Sequence, residues 1–392
     1  MIQQSLGLRS LTSAMPAVYR APRTTVAALA LLLATLVLTA SRLAAQVDTA
    51  GRPTVLLIAT GGTIAGVQDA PGTLGSYRAG TLSAAQILAS VPELARYATV
   101  EAEQFSNVAS TAITPAHWVA LAKRINTVLH ERSDIAGVVV THGTDRLEET
   151  AFFLYLTVLS EKPVIVVGSQ RPATGISPDG PINLLAAVRT AVSPQAVGKG
   201  VMVAMDDRIV SAREVRKLYQ RVGGFEGGEM GTIGVIGGDG PEFFFAPVRR
   251  HGRTSEFSLA DVDSLPRVEL TFSYPGGTGH QFHPVPDGVV VATTGFTRAE
   301  SATYLALRQS GVVVVTTFPS GENVNATRSP GVRIEPVKAP VTAADSAAAA
   351  ERAAPPSVTA QHLTPQKVRI LLMLALTRTT DRDELQRIFK EY

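Results

Sequence analysis

The 392-residue chain contains no cysteine, which rules out a disulfide framework and any thiolate nucleophile. The absence says nothing of compartment, since exported proteins need not use disulfides. There is no Lys/Arg run of the nucleic-acid-binding kind, and the net charge is only +3, so no nucleic-acid partner is expected. No His-Glu-x-x-His motif occurs, and His280 and His283 lie in a Pro/Gly-rich stretch where they read as surface loop residues. No Walker-type lysine follows Gly61-Gly62, and the glycine spacing there does not fit a dinucleotide fingerprint. Gly168-Ser169-Gln170 lacks the second glycine of a nucleophile elbow. Neither a metal nor a cofactor is therefore expected.

What remains is a globular composition, 45% hydrophobic and 18% charged, long enough for two domains with sizeable cores. Residues 1–45 stand apart. Arg9, Arg20 and Arg23 precede the apolar run Val26 to Ala40, and Ala44-Ala45-Gln46 follow a short exit. A positive flank, a short apolar core and small residues at the exit describe a secretory signal cleaved near Gln46. The run is shorter than the roughly 20 residues that a spanning helix prefers, so no stable membrane association is expected after cleavage. A periplasmic or secreted location follows.

From Pro53 onward short β-branched runs alternate with helical stretches. Thr54–Ala59, Ile135–Thr141, Pro163–Gly168 and Val201–Met205 read as strands, and Pro115–Leu129, Leu147–Leu159 and Pro181–Ala191 as helices. The alternation predicts an α/β fold with a mostly parallel sheet flanked by helices. Residues 247–266 are polar and broken and read as a linker between a larger domain (53–246) and a smaller α/β domain (267–392). In the latter, Val289–Thr293 and Val312–Thr317 read as strands and Val368–Leu376 as a helix. Pro336–Ala360, rich in alanine and proline, reads as a disordered insertion.

Two threonines set in glycine carry the chemistry. Ala59-Thr60-Gly61-Gly62-Thr63-Ile64-Ala65-Gly66 and Thr141-His142-Gly143-Thr144-Asp145 each follow a buried strand and precede a helical stretch. In α/β sheets ligands gather beyond the carboxyl ends of the strands, where backbone N–H groups are also on offer. Two such loops suggest two hydroxyls facing one pocket. His142 has two readings, a general base or a residue pinning its loop by hydrogen bonds.

These segments resemble the signatures of the bacterial L-asparaginases, specifically the exported type II group. Thr60 to Gly66 is similar to the first signature, and Thr141 to Asp145 with Glu148-Glu149-Thr150 to the second. Arg171-Pro172, Ser177 and Asp179-Gly180-Pro181 with Asn183 resemble a third segment, and Leu363-Thr364-Pro365-Gln366-Lys367 the approach to the closing helices. The likeness covers about Val55 to Tyr392.

The resemblance implies hydrolysis of L-asparagine to L-aspartate and ammonia, or a broader glutaminase-asparaginase activity that includes L-glutamine. It makes Thr63 the nucleophile of an acyl-enzyme mechanism, oriented by Tyr77, with Thr144, Asp145 and Lys217 as a second catalytic group. A buried lysine held by a carboxylate can pass protons to and from a hydroxyl; without the resemblance, Lys217 would read as a solvated charge. Ser110 would receive the substrate carboxylate and Asp145 its ammonium, with Thr111, Gly62 and Gly143 lining the same pocket. Thr111 stands where many relatives carry glutamine, and Gly276 where they carry asparagine. The acidic residue a neighbouring subunit donates is sought around Glu322 and Asn325–Arg328. The implied assembly is a homotetramer. Loss of catalysis through these changes would leave an amino-acid-binding protein, against which the intact Thr63, Thr144, Asp145 and Lys217 argue. Gly72, Gly75 and Gly80 around Tyr77 suggest a closing lid.

Overall fold

The computed structural model describes residues 51–73, 75–321 and 357–392. The expected signal (1–45), Glu322, Asn325–Arg328 and most of the alanine- and proline-rich stretch lie outside the described residues. Gly51–Tyr392 form one unit by their contacts.

From Thr54 the chain lays down β1 (Thr54–Gly61), a hairpin of β2 (Val67–Gln68) and β3 (Tyr77–Arg78), helix α1 (Ala84–Ala89), β4 (Thr99–Val108), α2 (Pro115–Glu131) and β5 (Ile135–Thr141). Next come α3 (Leu147–Thr157), β6 (Val164–Val167), α4 (Gly180–Ala191), β7 (Val201–Met205) and β8 (Arg208–Ser211). A second hairpin, β9 (Arg216–Lys217) with β10 (Phe225–Glu226), leads into α5 (Gly228–Gly231), β11 (Thr232–Ile236) and β12 (Pro241–Phe243). The remaining elements are β13 (Val268–Phe272), β14 (Gly288–Ala292), α6 (Arg298–Gln309), β15 (Val313–Thr317), β16 (Val358–Thr359), α7 (Pro365–Ala375) and α8 (Arg382–Glu391).

The large sheet has the order β12-β11-β8-β7-β6-β5-β1-β4. From β4 to β7 its neighbours run parallel, and the β8, β11 and β12 pairings are antiparallel. The central strands are apolar on both faces because helices cover both: Val55 to Ala59 and Val138 to Val140 are all buried. β4 is an edge strand, and its polar side chains alternate with half-buried ones, so it lacks the apolar run that marks its neighbours. The smaller sheet, β13-β14-β15-β16, is parallel throughout. Helix α7 packs between its strands and α3, burying Val368 and Ile370 to Ala375. Among the described residues no helix is long and apolar enough to cross a membrane.

Helix starts follow local chemistry. Thr114 caps α2 with Pro115 at its first turn, and Thr297 caps α6 in a capping box with Glu300. Within residues 247–266, the expected linker, Phe257 and Leu259 are buried, and the His251 ring stacks on Tyr155 at 5.0 Å. One sequence expectation changes. The end of the expected 336–360 insertion is ordered, since Val358–Thr359 pair with β15 and Val358 and Ala360 are buried. Their composition hid this because a two-residue strand draws its stability from its neighbour rather than from its own pattern.

Candidate active site

Three adjacent strands end at one place. In the β1–β5 register Ala59 sits opposite Thr141, and in the β1–β4 register Gly61 sits opposite Val108. The loops that follow are therefore level, and each opens with a short 3-10 turn, at Thr63–Ala65, Thr144–Arg146 and Ser110–Ala112. The Thr60 hydroxyl donates to the Thr141 carbonyl at 2.8 Å, and Gly62 N–H donates to the Val108 carbonyl at 3.0 Å. Gly62 has φ +83, and a Cβ there would lie 2.2 Å from Gly143 Cα. A Cβ on Gly143 would in turn lie 2.9 Å from Ser110 Oγ. The two glycines lie back to back, which lets the threonine-bearing loops touch.

Thr63 and Thr144 are both buried. The Thr63 Oγ1 and Tyr77 Oη are 2.8 Å apart. Tyr77 arrives on the β2–β3 hairpin, opposite Gln68, and its ring lies over Gly66, where a Cβ would come within 2.8 Å of Cδ2. Of the three glycines suggested as lid hinges, Gly72 and Gly75 face open space, but a Cβ on Gly80 would lie 2.8 Å from the Asn107 carbonyl oxygen. Gly80 N–H also donates to the Gly62 carbonyl at 3.0 Å, so Gly80 is an anchor rather than a hinge.

The second group is equally close. The Lys217 ammonium donates to Thr144 Oγ1 at 2.7 Å and to Asp145 Oδ1 at 2.6 Å. Its side chain is only 11% exposed, while that of Asp145 is half exposed. Lys217 is thus no solvated surface charge. Ser110, buried, accepts the Asp145 N–H at 3.2 Å through Oγ, leaving its own hydroxyl proton to donate elsewhere. Thr111 lies exposed in the same turn.

The Arg171–Asn183 stretch supports this floor rather than entering it. The Asp179 carboxylate accepts the N–H groups of Gln170 and Arg171, both at 2.8 Å, and Ala173 N–H donates to the Gly66 carbonyl at 2.9 Å. Gly276, with φ +79 and open space around it, lies in the turn after β13.

His142 is fully buried in a closed relay. Trp118 Nε1–H donates to Thr150 Oγ1 at 2.8 Å, and Thr150 Oγ1 meets His142 Nε2 at 3.0 Å. His142 Nδ1 meets the Gly143 carbonyl at 2.7 Å. A carbonyl only accepts, so Nδ1 carries the proton and Nε2 accepts from the threonine. Burial pushes its pKa from 6.5 down to about 4, against the opposing pull of the Gly143 bond. Of the two readings the loop-pinning one fits, because both ring nitrogens are engaged.

A stability prediction follows. The folded pKa is depressed, so the folded protein binds fewer protons and is stabilised above the unfolded pKa. That stability is lost as pH falls from about 6.5 toward 4, at about 1.4 kcal/mol per unit. Denaturant melts at pH 7 and pH 4.5 should show a smaller drop for His142→Gln than for the unaltered chain; equal drops would contradict it.

Among the described residues no group of three or more His, Asp or Glu could hold a metal ion. Sequence reasoning did not assign roles to Glu148, which accepts the Lys217 N–H at 2.6 Å, to Gly66 beneath Tyr77, or to the buried Lys367. Glu148 and Gly66 lie inside the two threonine motifs, which is the one signal that could have flagged them.

Comparison with known proteins shows the family and the fold. Residues 54–249 match the family model described as asparaginase, N-terminal, and residues 267–389 the glutaminase/asparaginase C-terminal domain. The chain is 40% identical over 349 residues to "L-asparaginase 2" of Bacillus subtilis, covering 87% of each. It is 37% identical over 346 residues to "Glutaminase-asparaginase" of Pseudomonas fluorescens, covering 86% of this chain and 90% of that one. The crystal structure of a probable cytoplasmic L-asparaginase from Campylobacter jejuni superimposes with TM-score 0.76 at 34% identity, covering 87% of this chain and all of that one.

Proposed function

The chain belongs to the asparaginase family, and from that premise we propose an amidohydrolase that converts L-asparagine to L-aspartate and ammonia through a threonine ester. The observation that carries the proposal is the pair of hydroxyls, Thr63 against Tyr77 and Thr144 against Lys217 and Asp145, on loops held together by Gly62 and Gly143. An alcohol is a weak nucleophile at neutral pH and needs an oriented partner to take its proton. Thr63 Oγ attacks the side-chain amide carbon; the C–O bond forms, the C–N bond breaks, and the departing nitrogen takes a proton and leaves as ammonia. Water then attacks the ester carbonyl, Thr63 regains its proton, and aspartate departs. Thr144, with Lys217 and Asp145, holds and returns protons during these steps.

Substrate selection rests on charge. A buried α-carboxylate and α-ammonium must both be paired. The Ser110 hydroxyl is free to donate to the first, and the half-exposed Asp145 carboxylate receives the second. Gly62 and Gly143 let the loops that line the pocket touch, and Thr111 lies beside Ser110.

The test is ammonia release from L-asparagine and L-glutamine measured side by side. Turnover of L-asparagine is expected, and its absence with intact folding would leave the amino-acid-binding reading. The relative named glutaminase-asparaginase makes L-glutamine turnover the specific alternative. Export with cleavage near Gln46 is supported by the charged flank and apolar run of residues 9–40. Self-association is supported by the exposed apolar side chains Phe244, Phe245 and Val248 beside the β12 edge, and a homotetramer is the assembly that the family resemblance implies. The terminal and native masses of protein recovered from the periplasm or medium check both, and an intact N-terminus or a monomer would count against them.

A further inference from the structure

Lys367 is buried to 1% exposure in the first turn of α7. That is an unfavourable end of a helix for a cation. Burial pushes its pKa down to about 8, with the Glu148 and Glu214 carboxylates working against the fall. Its ammonium donates to the Arg213 carbonyl at 2.7 Å and the Val215 carbonyl at 2.6 Å. Both acceptors belong to the segment that runs into Lys217. From the other side, Glu148 Oε2 accepts the Lys217 N–H at 2.6 Å. Glu148 stands in the first turn of α3, directly after the turn that carries Thr144 and Asp145.

The segment needs such support. Lys217 sits in β9, a two-residue strand that among the described residues pairs only with β10, through Phe225 and Glu226. An isolated hairpin this short is not rigid by itself. Besides the Glu214 and Val215 N–H bonds to the Ser211 carbonyl at 3.0 and 2.9 Å, two ammonium bonds to the Arg213 and Val215 carbonyls and one carboxylate bond to the Lys217 N–H hold the backbone from both sides.

We infer that Lys367 and Glu148 are positioning residues, a two-sided clamp on the 213–217 backbone that places the Lys217 ammonium against Thr144 and Asp145. The inference rests on the reading that Lys217 serves the hydrolysis. A buried ammonium whose two acceptors lie on one backbone segment fixes the course of that segment as well as satisfying its carbonyls.

The experiment is steady-state kinetics and thermal melting of the full chain carrying Lys367→Met, Glu148→Ala or Glu148→Gln. Lys367→Met and Glu148→Ala should each lower kcat about 10- to 100-fold, the scale of a small misplacement of a reacting group, with KM for L-asparagine unchanged. Lys367→Met leaves the Arg213 and Val215 carbonyls without their donor, so it should melt lower, and Glu148→Gln, which keeps an acceptor, should recover most of kcat. An unchanged kcat per folded molecule in either Lys367→Met or Glu148→Ala overturns the clamp, whatever the melting temperature. If Lys367→Met does not fold, Glu148→Ala decides alone. Activity retained in Lys217→Met would instead overturn the reading beneath it, so the two failures are distinguishable.

Discussion

Thr63→Ala should leave a folded protein that still binds L-aspartate and has lost nearly all turnover. Thr63 is buried in a 3-10 turn, and alanine fits the same backbone while removing one methyl and the hydroxyl. The lost contact is the 2.8 Å bond to Tyr77, whose half-buried hydroxyl can turn to water instead. The structural cost is therefore small, and the chemical cost is large, because no ester can form. Removal of a covalent nucleophile commonly costs on the order of 10⁴ to 10⁶ in kcat, with residual water attack accounting for what remains. Ammonia release and an aspartate titration on the same sample measure both quantities. Activity close to that of the unaltered chain would sink the nucleophile assignment, and joint loss of binding and activity would point to a damaged pocket.

Lys217→Met should produce the second largest loss. The ammonium bridges Thr144 Oγ1 and Asp145 Oδ1 at 2.7 and 2.6 Å, and methionine keeps the stem's packing while deleting every donor. General acid–base assistance is worth about 10² to 10⁴ in rate, and a loss on that scale is expected for both amides. The backbone bond from Lys217 N–H to Glu148 survives the substitution, so the hairpin should hold and the melting temperature should move by only a few degrees. Lys123, on α2 and 3.8 Å from an exposed Asp263 carboxylate, serves as a control; Lys123→Met should leave the rate unaltered. Equal small effects of the two substitutions would mean that Lys217 has no part in proton transfer.

The parts of the molecule that could be read in advance are those where one local signal governs. β1 and β5 announce themselves because a strand covered on both faces must be apolar throughout, and the glycines that follow mark the loops where Thr63 and Thr144 stand. Pro115 and Thr114 likewise mark the start of α2. β4 escaped, because an edge strand alternates polar with half-buried residues, and so did the antiparallel additions β8, β11 and β12. The α8 helix at Arg382–Glu391 is rich in charge and buries only a narrow stripe, Leu385, Ile388 and Phe389, a pattern easily taken for surface loop.

The site divides along the same line. Which loops carry the two hydroxyls and the Asp145 carboxylate was decided by the sequence, because glycine beside a hydroxyl at a strand end is a local requirement of backbone geometry. Which of them meet was decided only by the tertiary structure. Tyr77 reaches Thr63 through a hairpin, Ser110 reaches Asp145 across two strands, and Lys217 reaches Thr144 over 73 residues of chain. Lys217 and Lys367 show the reason most clearly. A lysine's own sequence neighbourhood favours solvent, and only surrounding carbonyls, carboxylates and helices brought from distant segments can make burying its charge tolerable.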